Sequence, residues 1–311
     1  MSEQTLGIVI PAFNEEKTLY QHMKTLAQVL DGDRIPFRVM LVDDGSRDAT
    51  WEIISRLTEE DARFSAIRFS RNFGKEVALC AGLREVPGDV VLIMDSDLQH
   101  PPRYIKDMLA LMERSGADIV DGVKAARGRE NPLYKFCARA FYGLFRKNTG
   151  IDLHNSSDFK LLRRPVVNAI NALDESRVFF RGLVNWVGFQ HETFSFEVDE
   201  RVGDTSRFSL SRLARLSLDA TLSYTSRPLY FTTVAGGLFL LFALILGIQT
   251  LVNYFSGRAV DGFTTVILLL LVIGAILCVS LSILGAYIAR IYDEVKHRPQ
   301  YIVSERRNDE K

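Results

Sequence analysis

Two aspartates that follow a short apolar run are the residues best suited to metal chemistry. The run Val90–Met94 is rich in β-branched residues, and Asp95, Asp97 and a Pro-Pro pair follow it. An apolar run that ends at such a breaker predicts a buried strand. Residues i and i+2 of an extended segment point to the same side, so the two carboxylates converge and would repel each other without a cation. Mg²⁺ carrying substrate phosphates fits this chemistry, although Asp is also common in an ordinary turn after a strand.

Three further polar turns follow apolar runs in the same way. The runs Leu6–Pro11, Phe37–Val42 and Ser65–Phe69 predict strands, and a helical pattern follows each turn. Strand, turn and helix in repetition predict an α/β fold with a parallel sheet covered by helices. The turns PAFNE, DDGS and RNFGK would then lie beside DSDLQ at the carboxyl ends of the strands, where open α/β sheets bind ligands. The glycine-containing turns match neither the dinucleotide fingerprint nor the P-loop.

The composition excludes several classes of protein. The 311 residues carry 38 basic and 38 acidic side chains, so there is no basic excess and no nucleic acid partner is expected. Cys80, Cys137 and Cys278 are widely spaced, which favours free thiols over a disulfide or metal framework. The five histidines show no zinc-ligand spacing. The first residues show neither the basic start nor the apolar core of a signal peptide.

Two long apolar runs predict a membrane anchor. Pro228–Gly257 and Gly262–Ala289 carry no charge, and each exceeds the ~20 residues needed to cross a bilayer. Basic residues precede the first run and follow the second, so the positive-inside rule places both ends of the chain in the cytoplasm. The segment Ser209–Tyr224 predicts an amphipathic helix at the membrane surface. The expected organisation is an α/β domain at 1–208, a juxtamembrane helix at 209–227, two spans at 228–290 and a cytoplasmic tail at 291–311.

The four turn motifs, in this order and spacing, resemble those of the inverting family 2 glycosyltransferases over roughly residues 6–210. The resemblance implies a GT-A fold, a nucleotide-sugar donor and Mg²⁺ or Mn²⁺ as cofactor. With the two apolar runs it is closest to the polyisoprenyl-phosphate glycosyltransferases, above all the bactoprenol (undecaprenyl-phosphate) glucosyltransferases, and dolichol-phosphate mannose synthases belong to the same wider set. It implies transfer of a sugar, glucose by default, from a UDP-sugar to polyprenyl phosphate for O-antigen, lipopolysaccharide or other envelope modification. The expected location is the bacterial inner membrane, and a homo-oligomer such as a tetramer would suit the subgroup.

The motifs and the resemblance together assign residues on the donor side. The predicted metal ligands are Asp95, Asp97 and Gln99, and Asp97 is also expected to be catalytic. The predicted nucleotide-sugar-binding residues are Pro11, Ala12, Asn14, Glu15, Asp43, Asp44, Ser46, Lys75, Asp95, Ser96, Arg201 and Arg207. In the loop that begins at Arg201, Asp204 stands where the family usually has Gly, and Arg207 stands where it has Lys. The stretch Phe179–Phe189 resembles the segment that closes over the sugar.

The acceptor side is expected around Asp158, which lies in a motif resembling the family's acceptor-side aspartate. Asp158 is either a general base or a residue that orients the sugar and the acceptor. The second role is favoured because an acceptor phosphate is mostly dianionic at pH 7 and needs no base. The predicted acceptor-phosphate residues are Lys124, Arg127, Lys135 and Arg139. The segment Leu133–Phe145, which holds two of them, is otherwise interpreted as a helix covering the sheet.

Two other functions stay open at this point. A processive polysaccharide synthase would carry a Gln-x-x-Arg-Trp motif, and neither Trp51 nor Trp186 lies in one. A catalytically idle membrane scaffold with the same fold would have no need of the aspartates and of Lys75. Turnover of a UDP-sugar would distinguish such a scaffold from an enzyme.

Overall fold

The protein contains one mixed eight-stranded sheet with helices on both faces. The computed structural model describes residues 5–124, 158–173, 179–196 and 263–308, with scattered residues between 234 and 256. The strands are β1 (Leu6–Ala12), β2 (Phe37–Asp43), β3 (Phe64–Phe69), β4 (Val90–Ile93), β5 (Ile119–Lys124), β6 (Lys160–Arg163), β7 (His191–Phe196) and β8 (Val303–Arg307). The helices are α1 (Leu19–Gly32), α2 (Thr50–Glu60), α3 (Lys75–Glu85), α4 (Ile105–Ser115), α5 (Arg164–Asn171), α6 (Phe180–Trp186) and α7 (Phe263–Val295).

Most of the strands run in one direction, as the alternation of strands and helices predicts. The order across the sheet is β7-β5-β6-β4-β1-β2-β3-β8. Strand β1 pairs in parallel with β2 and with β4, and β2 pairs in parallel with β3. Strand β6 runs against both β4 and β5, and β8 runs against β3. The expected α/β class and mostly parallel sheet are therefore confirmed, and the two antiparallel strands are additions that the sequence analysis did not predict.

Apolar side chains alternate between the two faces of the central strands and build a core on each face. On β1, Ile8 and Ile10 pack with α1, α2 and α4, whereas Val9 packs with α3, α5 and α6. This alternation follows from the two-residue period of a strand. Helix α3 lies directly on β1 at Gly82, where an added Cβ would stand 2.3 Å from Val9 Cγ1. This close packing fixes the positions of the strand ends relative to α3, and so fixes where the loops that follow the strands begin.

Strand β6 is fixed on both sides, which matters for the residue just before it. Its backbone pairs with β4, where Lys160 lies opposite Ile93, and with β5, where Lys160 lies opposite Asp121. The fully buried Lys160 side chain donates to Asp121, and His191 Nδ1 on β7 lies 2.7 Å from the other Asp121 oxygen. A buried charge needs such partners. Because β6 runs against β4, its first residues lie at the edge where β4 ends.

The C-terminal residues return to the sheet as its edge strand. Strand β8 begins eight residues after the last residue of α7 and pairs with β3. The Tyr301 ring stacks on Phe69 at 4.9 Å, and the Asn308 side chain donates to the carbonyl oxygens of Thr58 and Phe64 at 2.6 and 3.0 Å. Residues 298–308 accordingly belong to the same compact unit as the strands before them.

The predicted membrane segments are described only in part. Among the described residues, one helical stretch, Val272–Val295, is long and apolar enough to cross a bilayer. It runs past the expected end of the second span at residue 290. The described residues of the first apolar run, from Val234 to Phe255, are helical, but they are too scattered to test the first span. The expected surface helix Ser209–Tyr224 lies outside the described residues.

Candidate active site

The loops after β1 and β2 are joined to each other by hydrogen bonds. The amide of Asn14 donates to Ser46 Oγ at 3.0 Å, and the amide of Arg47 donates to Asn14 Oδ1 at 2.9 Å. The amide of Glu15 donates to Thr50 Oγ1 at 2.8 Å. Asn14 has a φ of 55°, in the left-handed region that Asn tolerates better than most residues. These bonds join the motifs PAFNE and DDGS into one preformed surface. This agrees with the prediction that the two motifs lie at the ends of neighbouring strands.

The two predicted aspartates after β2 lie in different surroundings. Asp43 is fully buried, its Oδ1 accepts from the Ser46 amide at 3.0 Å, and its Oδ2 lies 3.3 Å from Arg68 Nε. Asp44 accepts from the amides of Phe73 and Gly74 at 2.7 and 2.9 Å, just before α3 begins. Burial raises the pKa of both carboxyl groups. Asp44 therefore fixes the start of α3, whereas Asp43 faces a cation.

A cleft of about 440 Å³ lies beside Asp43 at the carboxyl ends of β1, β2 and β3. It is lined by Phe13, Asn14, Gly45, Ser46, Arg47, Arg68, Phe69, Ser70, Arg71, Asn72 and Ser304. Gly45 has a φ of 68°, and a Cβ on it would stand 2.4 Å from the carbonyl carbon of Arg71, so this floor of the cleft requires glycine. The cleft combines apolar rings with guanidinium groups and amides, a lining suited to a nucleoside.

Lys75, the first residue of α3, joins two of the predicted aspartates. Its Nζ lies 2.6 Å from Asp95 Oδ1 and 2.7 Å from Asp158 Oδ2. Burial lowers the pKa of Lys75, but the charges of Asp95 and Asp158 outweigh it, and the pKa lies above its ordinary value. The structure thus brings together three residues that the sequence analysis assigned separately to the donor and acceptor sides.

Asp158 has a second cationic partner, Arg181, which the sequence analysis missed. Arg181 Nε and one terminal nitrogen donate to the two Asp158 oxygens at 2.7 and 3.0 Å. Burial raises the pKa of Asp158, but the hydrogen bonds and charges of Arg181 and Lys75 outweigh it and hold the pKa far below its ordinary range. Asp158 is therefore a permanently ionised carboxylate with both oxygens engaged.

Glu76 positions the helix that carries Arg181. Its side chain accepts from the Phe180 amide at 2.6 Å, at the start of α6, and burial raises the pKa of this carboxyl. The only signal in the sequence was the stretch Phe179–Phe189, in which Arg181 is the one charged residue. Helix α3 thus supplies Lys75 directly and places Arg181 through Glu76.

The remaining strand-end residues form the loop after β4. Asp97 accepts from the Gln99 amide at 3.1 Å and from Gln99 Nε2 at 2.5 Å. His22 Nδ1 lies 2.8 Å from the carbonyl oxygen of Ser96 and ties this loop to α1. Burial and the neighbouring Asp97 carboxylate raise the pKa of Glu15. The carboxylates of these loops are therefore close enough to repel each other.

Asp95 and Asp97 fit a divalent cation that also binds phosphate. Mg²⁺ and similar hard ions take one or two carboxylates and complete their coordination with phosphate oxygens and water. Within the described residues no group of three His, Cys, Asp or Glu side chains is arranged to hold an ion by itself. Gln99, the predicted third ligand, donates its side-chain amide to Asp97 and so orients that carboxylate. The donor set fits a cation that arrives with a diphosphate.

The other predicted residues either lie at strand ends or fall outside the part of the chain that the structure describes. Pro11 and Ala12 end β1, and the Ala12 carbonyl accepts from the Asp44 amide at 2.9 Å. Lys124 is the last residue of β5. The predicted residues Arg127, Lys135, Arg139, Arg201 and Arg207, together with Asp204, lie outside the described residues.

Comparisons with known proteins agree with this geometry. The model of the family described as Glycosyl transferase family 2 matches residues 7–170. A bactoprenol glucosyl transferase of Shigella phage SfV is 34% identical over 303 residues, covering 96% of this chain and 97% of the relative. The uncharacterized glycosyltransferase YkcC of Bacillus subtilis is 33% identical over 303 residues, covering 96% and 92%. The glucosyl-3-phosphoglycerate synthase of Mycobacterium tuberculosis, solved with uridine diphosphate, has a TM-score of 0.51 at 20% identity, covering 71% of this chain and 80% of that one. At this identity the similarity shows a shared fold alone, and the expected GT-A fold is confirmed.

Proposed function

This chain belongs to glycosyl transferase family 2, and we propose that it transfers glucose from UDP-glucose to polyprenyl phosphate with inversion at the anomeric carbon. The observation that carries the proposal is the pair of contacts made by Lys75, which links Asp95 at the donor side to Asp158 at the acceptor side. Relatives named bactoprenol glucosyl transferase, aligned over nearly their whole length, support the choice of sugar and carrier.

The donor nucleotide would occupy the cleft beside Asp43. Arg68, which lines this cleft, would donate to a carbonyl of the uracil ring, and the preformed surface of amides after β1 and β2 would hold the ribose. Asp95 and Asp97 would hold a divalent cation on the diphosphate. When bound, Mg²⁺ or Mn²⁺ would supply Lewis-acid stabilisation of the charge on the leaving diphosphate. Lys75, which contacts Asp95 and Asp158, and Arg181, which contacts Asp158, would offset the charge that the substrates bring.

The acceptor phosphate would attack without help from a general base. One phosphate oxygen forms the new bond to the anomeric carbon while the bond to the UDP oxygen breaks, and no proton has to leave a dianionic phosphate. Asp158 is poorly suited to act as a general base, because a carboxylate with so low a pKa is only weakly basic near neutral pH. Its role would be to hold Lys75 and Arg181 at the positions where two negatively charged substrates meet.

The direct test is the transfer of label from sugar nucleotide to lipid. Membranes containing the full chain are incubated with polyprenyl phosphate and a panel of radiolabelled UDP- and GDP-sugars. We expect label from UDP-glucose to enter the lipid fraction, and membranes carrying Asp95→Asn to give none. Incorporation from a GDP-sugar alone would overturn the proposed donor, and no incorporation from any donor would overturn the enzymatic function.

We also propose that the two apolar runs anchor the enzyme in the membrane with both chain ends on the cytoplasmic side. The apolar stretch of α7 supports membrane association, and the distribution of basic residues supports the orientation. A cysteine introduced at Ser256, in a chain lacking its other cysteines, should react with an impermeant thiol reagent in spheroplasts. A cysteine at Ser304 should stay protected until the membrane is permeabilised. The reverse pattern would overturn the orientation.

A further inference from the structure

The C-terminal strand lies against the proposed nucleotide cleft, far in sequence from the family motifs. Strand β8 pairs Glu305 with Arg68 and Val303 with Phe69 on β3, and the register shifts between these two pairs. Ser304 is therefore the extra residue of a bulge. Its hydroxyl donates to the Arg68 carbonyl at 3.2 Å, and it lines the cleft. Bulges redirect a side chain and are common beside active sites.

Arg68 is the link between this strand and the floor of the cleft. One terminal nitrogen donates to Glu305 Oε1 at 3.0 Å, and the other donates to the Ser46 carbonyl at 3.3 Å. Its Nε lies 3.3 Å from Asp43 Oδ2, and this oxygen, though buried, accepts no hydrogen bond within the described part of the chain. Arg68 lines the cleft and can donate to a ligand there, whereas Asp43 is fully buried and is not one of the lining residues.

Glu305 is itself held in place, so its position is set by the fold. Its second oxygen accepts from Trp51 Nε1 at 3.0 Å, and Trp51 is buried in the core on α2. A carboxylate fixed in this way pulls the guanidinium of Arg68 toward β8. Without it, the strongest remaining partner of Arg68 would be the buried Asp43, and closer pairing there would draw the guanidinium group away from the cleft.

We propose that β8 forms part of the nucleotide pocket and that Glu305 is a positioning residue, which holds the Arg68 guanidinium group where it can donate to the base of the donor. The inference rests on the proposed function, because it takes the cleft as the site of the uridine nucleotide. A uracil ring carries two carbonyl oxygens, and Arg68 would donate to one of them from the wall of the cleft.

The neighbouring residue Arg306 offers a matched control. Arg306 pairs with Glu85 at 3.1 Å, with side-chain exposures of 37% and 25%, and Glu305 pairs with Arg68 at 3.0 Å, with exposures of 39% and 26%. The two residues are adjacent on β8 and so point to opposite faces of the sheet. Loss of either ion pair should weaken the attachment of β8, and only loss of the Glu305 pair should affect the cleft.

The experiment measures binding of UDP to the purified full chain, with Mg²⁺ present, by calorimetry. We expect Glu305→Gln to raise the Kd about tenfold, in the range of couplings within one ionic network, and Arg306→Gln to leave it within about twofold. In kinetic assays, the KM for the sugar nucleotide should rise while kcat at saturating donor and the KM for lipid stay unchanged. In an Arg68→Gln background, Glu305→Gln should weaken UDP binding no further, because Glu305 acts through Arg68.

The outcomes separate this inference from the proposed function. A wild-type chain that does not bind UDP would overturn both. A wild-type chain that binds UDP, with equal losses in Glu305→Gln and Arg306→Gln, would show that β8 only stabilises the fold. Additive losses in the Arg68→Gln, Glu305→Gln double variant would show that Glu305 does not act through Arg68. The last two results would overturn the inference and leave the proposed function intact.

Discussion

The nucleotide end and the transfer end of the site are held by different kinds of interaction. At the nucleotide end, backbone amides such as those of Asn14 and Arg47 donate to neutral side chains of the adjoining loop. At the transfer end, Asp158 is fixed by ion pairs with Lys75 and Arg181. A neutral hydrogen bond contributes about 0.5–1.5 kcal/mol. Removal of one partner from a fully buried ion pair costs about 3–5 kcal/mol, and the half-exposed side chains of Lys75 and Arg181 bring the cost at Asp158 below that range. Single substitutions of the neutral loop residues should therefore have small effects, and substitutions in the ion pairs of the transfer end should have larger ones.

The largest effect is expected from the strand-end aspartates of the transfer end. Asp95→Asn or Asp97→Asn should lower transfer by about a thousandfold or more, because each removes a predicted cation ligand where charge develops on the diphosphate. EDTA should abolish activity in the same way. Radiolabel transfer to lipid is the assay, and Asp107→Asn on the exposed side of α4 is the matched control. Full activity in EDTA would contradict the cation assignment.

Asp158→Asn comes next, with a loss of about a hundredfold, since it leaves Arg181 and Lys75 without a buried counter-charge. The low pKa keeps Asp158 ionised throughout the range from pH 5 to 9, so its titration cannot cause an acidic limb there. The limb should instead follow the second pKa of the acceptor phosphate, near 6. Both enzymes should lose activity as the pH falls through that value. A pH–rate profile at saturating donor measures this, and an acidic limb that vanishes only in the variant would make Asp158 the base.

Arg181→Lys should reduce kcat by about tenfold. The charge stays, but Lys cannot reproduce the two parallel hydrogen bonds that Arg181 makes to Asp158. The control is Arg163→Lys at the far end of β6. Arg163 donates to a backbone carbonyl group and to Glu113, neither of which belongs to the site, so this substitution should change kcat little. Equal effects of the two substitutions would mean that Arg181 is needed for folding alone.

The smallest effect should come from the nucleotide end. Ser46→Ala removes the acceptor for the Asn14 amide, and we expect the KM for the sugar nucleotide to rise about threefold with kcat unchanged. The neighbouring bonds of Glu15 and Arg47 would keep the loops together. Steady-state kinetics with varied donor give the result, and Ser115→Ala at the end of α4 is the control. A loss as large as that of Asp158→Asn would erase the distinction between the two ends.

The two ends also differ in how far the sequence predicts them. Apart from β8, the nucleotide end is built from segments that are close in the chain, each an apolar run followed by a polar turn, so periodicity and turn residues suffice to predict these segments. The transfer end depends on Asp158 and Arg181, which reach Lys75 only through the folded sheet. Arg181 stands alone in an apolar stretch, where nothing local marks it as functional.

The two antiparallel strands were missed for a related reason. Strand β6 is the four-residue segment KLLR, and β8 is the charged segment VSERR. Neither shows enough alternation of apolar and polar residues to predict a strand. Each exists because a partner strand offers a free edge, and that edge is a property of the assembled sheet. Position along the chain also suggested a tail at 291–311, whereas β8, within that range, pairs with β3.

The return of β8 to β3 has a consequence for biosynthesis. Chains are made from the amino end, and domains begin to fold as they emerge. The residues of β1 to β7 are therefore complete while the β3 edge still lacks its partner, because β8 is translated only after the apolar helix α7. An open edge strand is a site for wrong pairing. The β3 edge must therefore stay open until α7 has left the ribosome, so the last step in the folding of this sheet waits for the synthesis of the apolar helix.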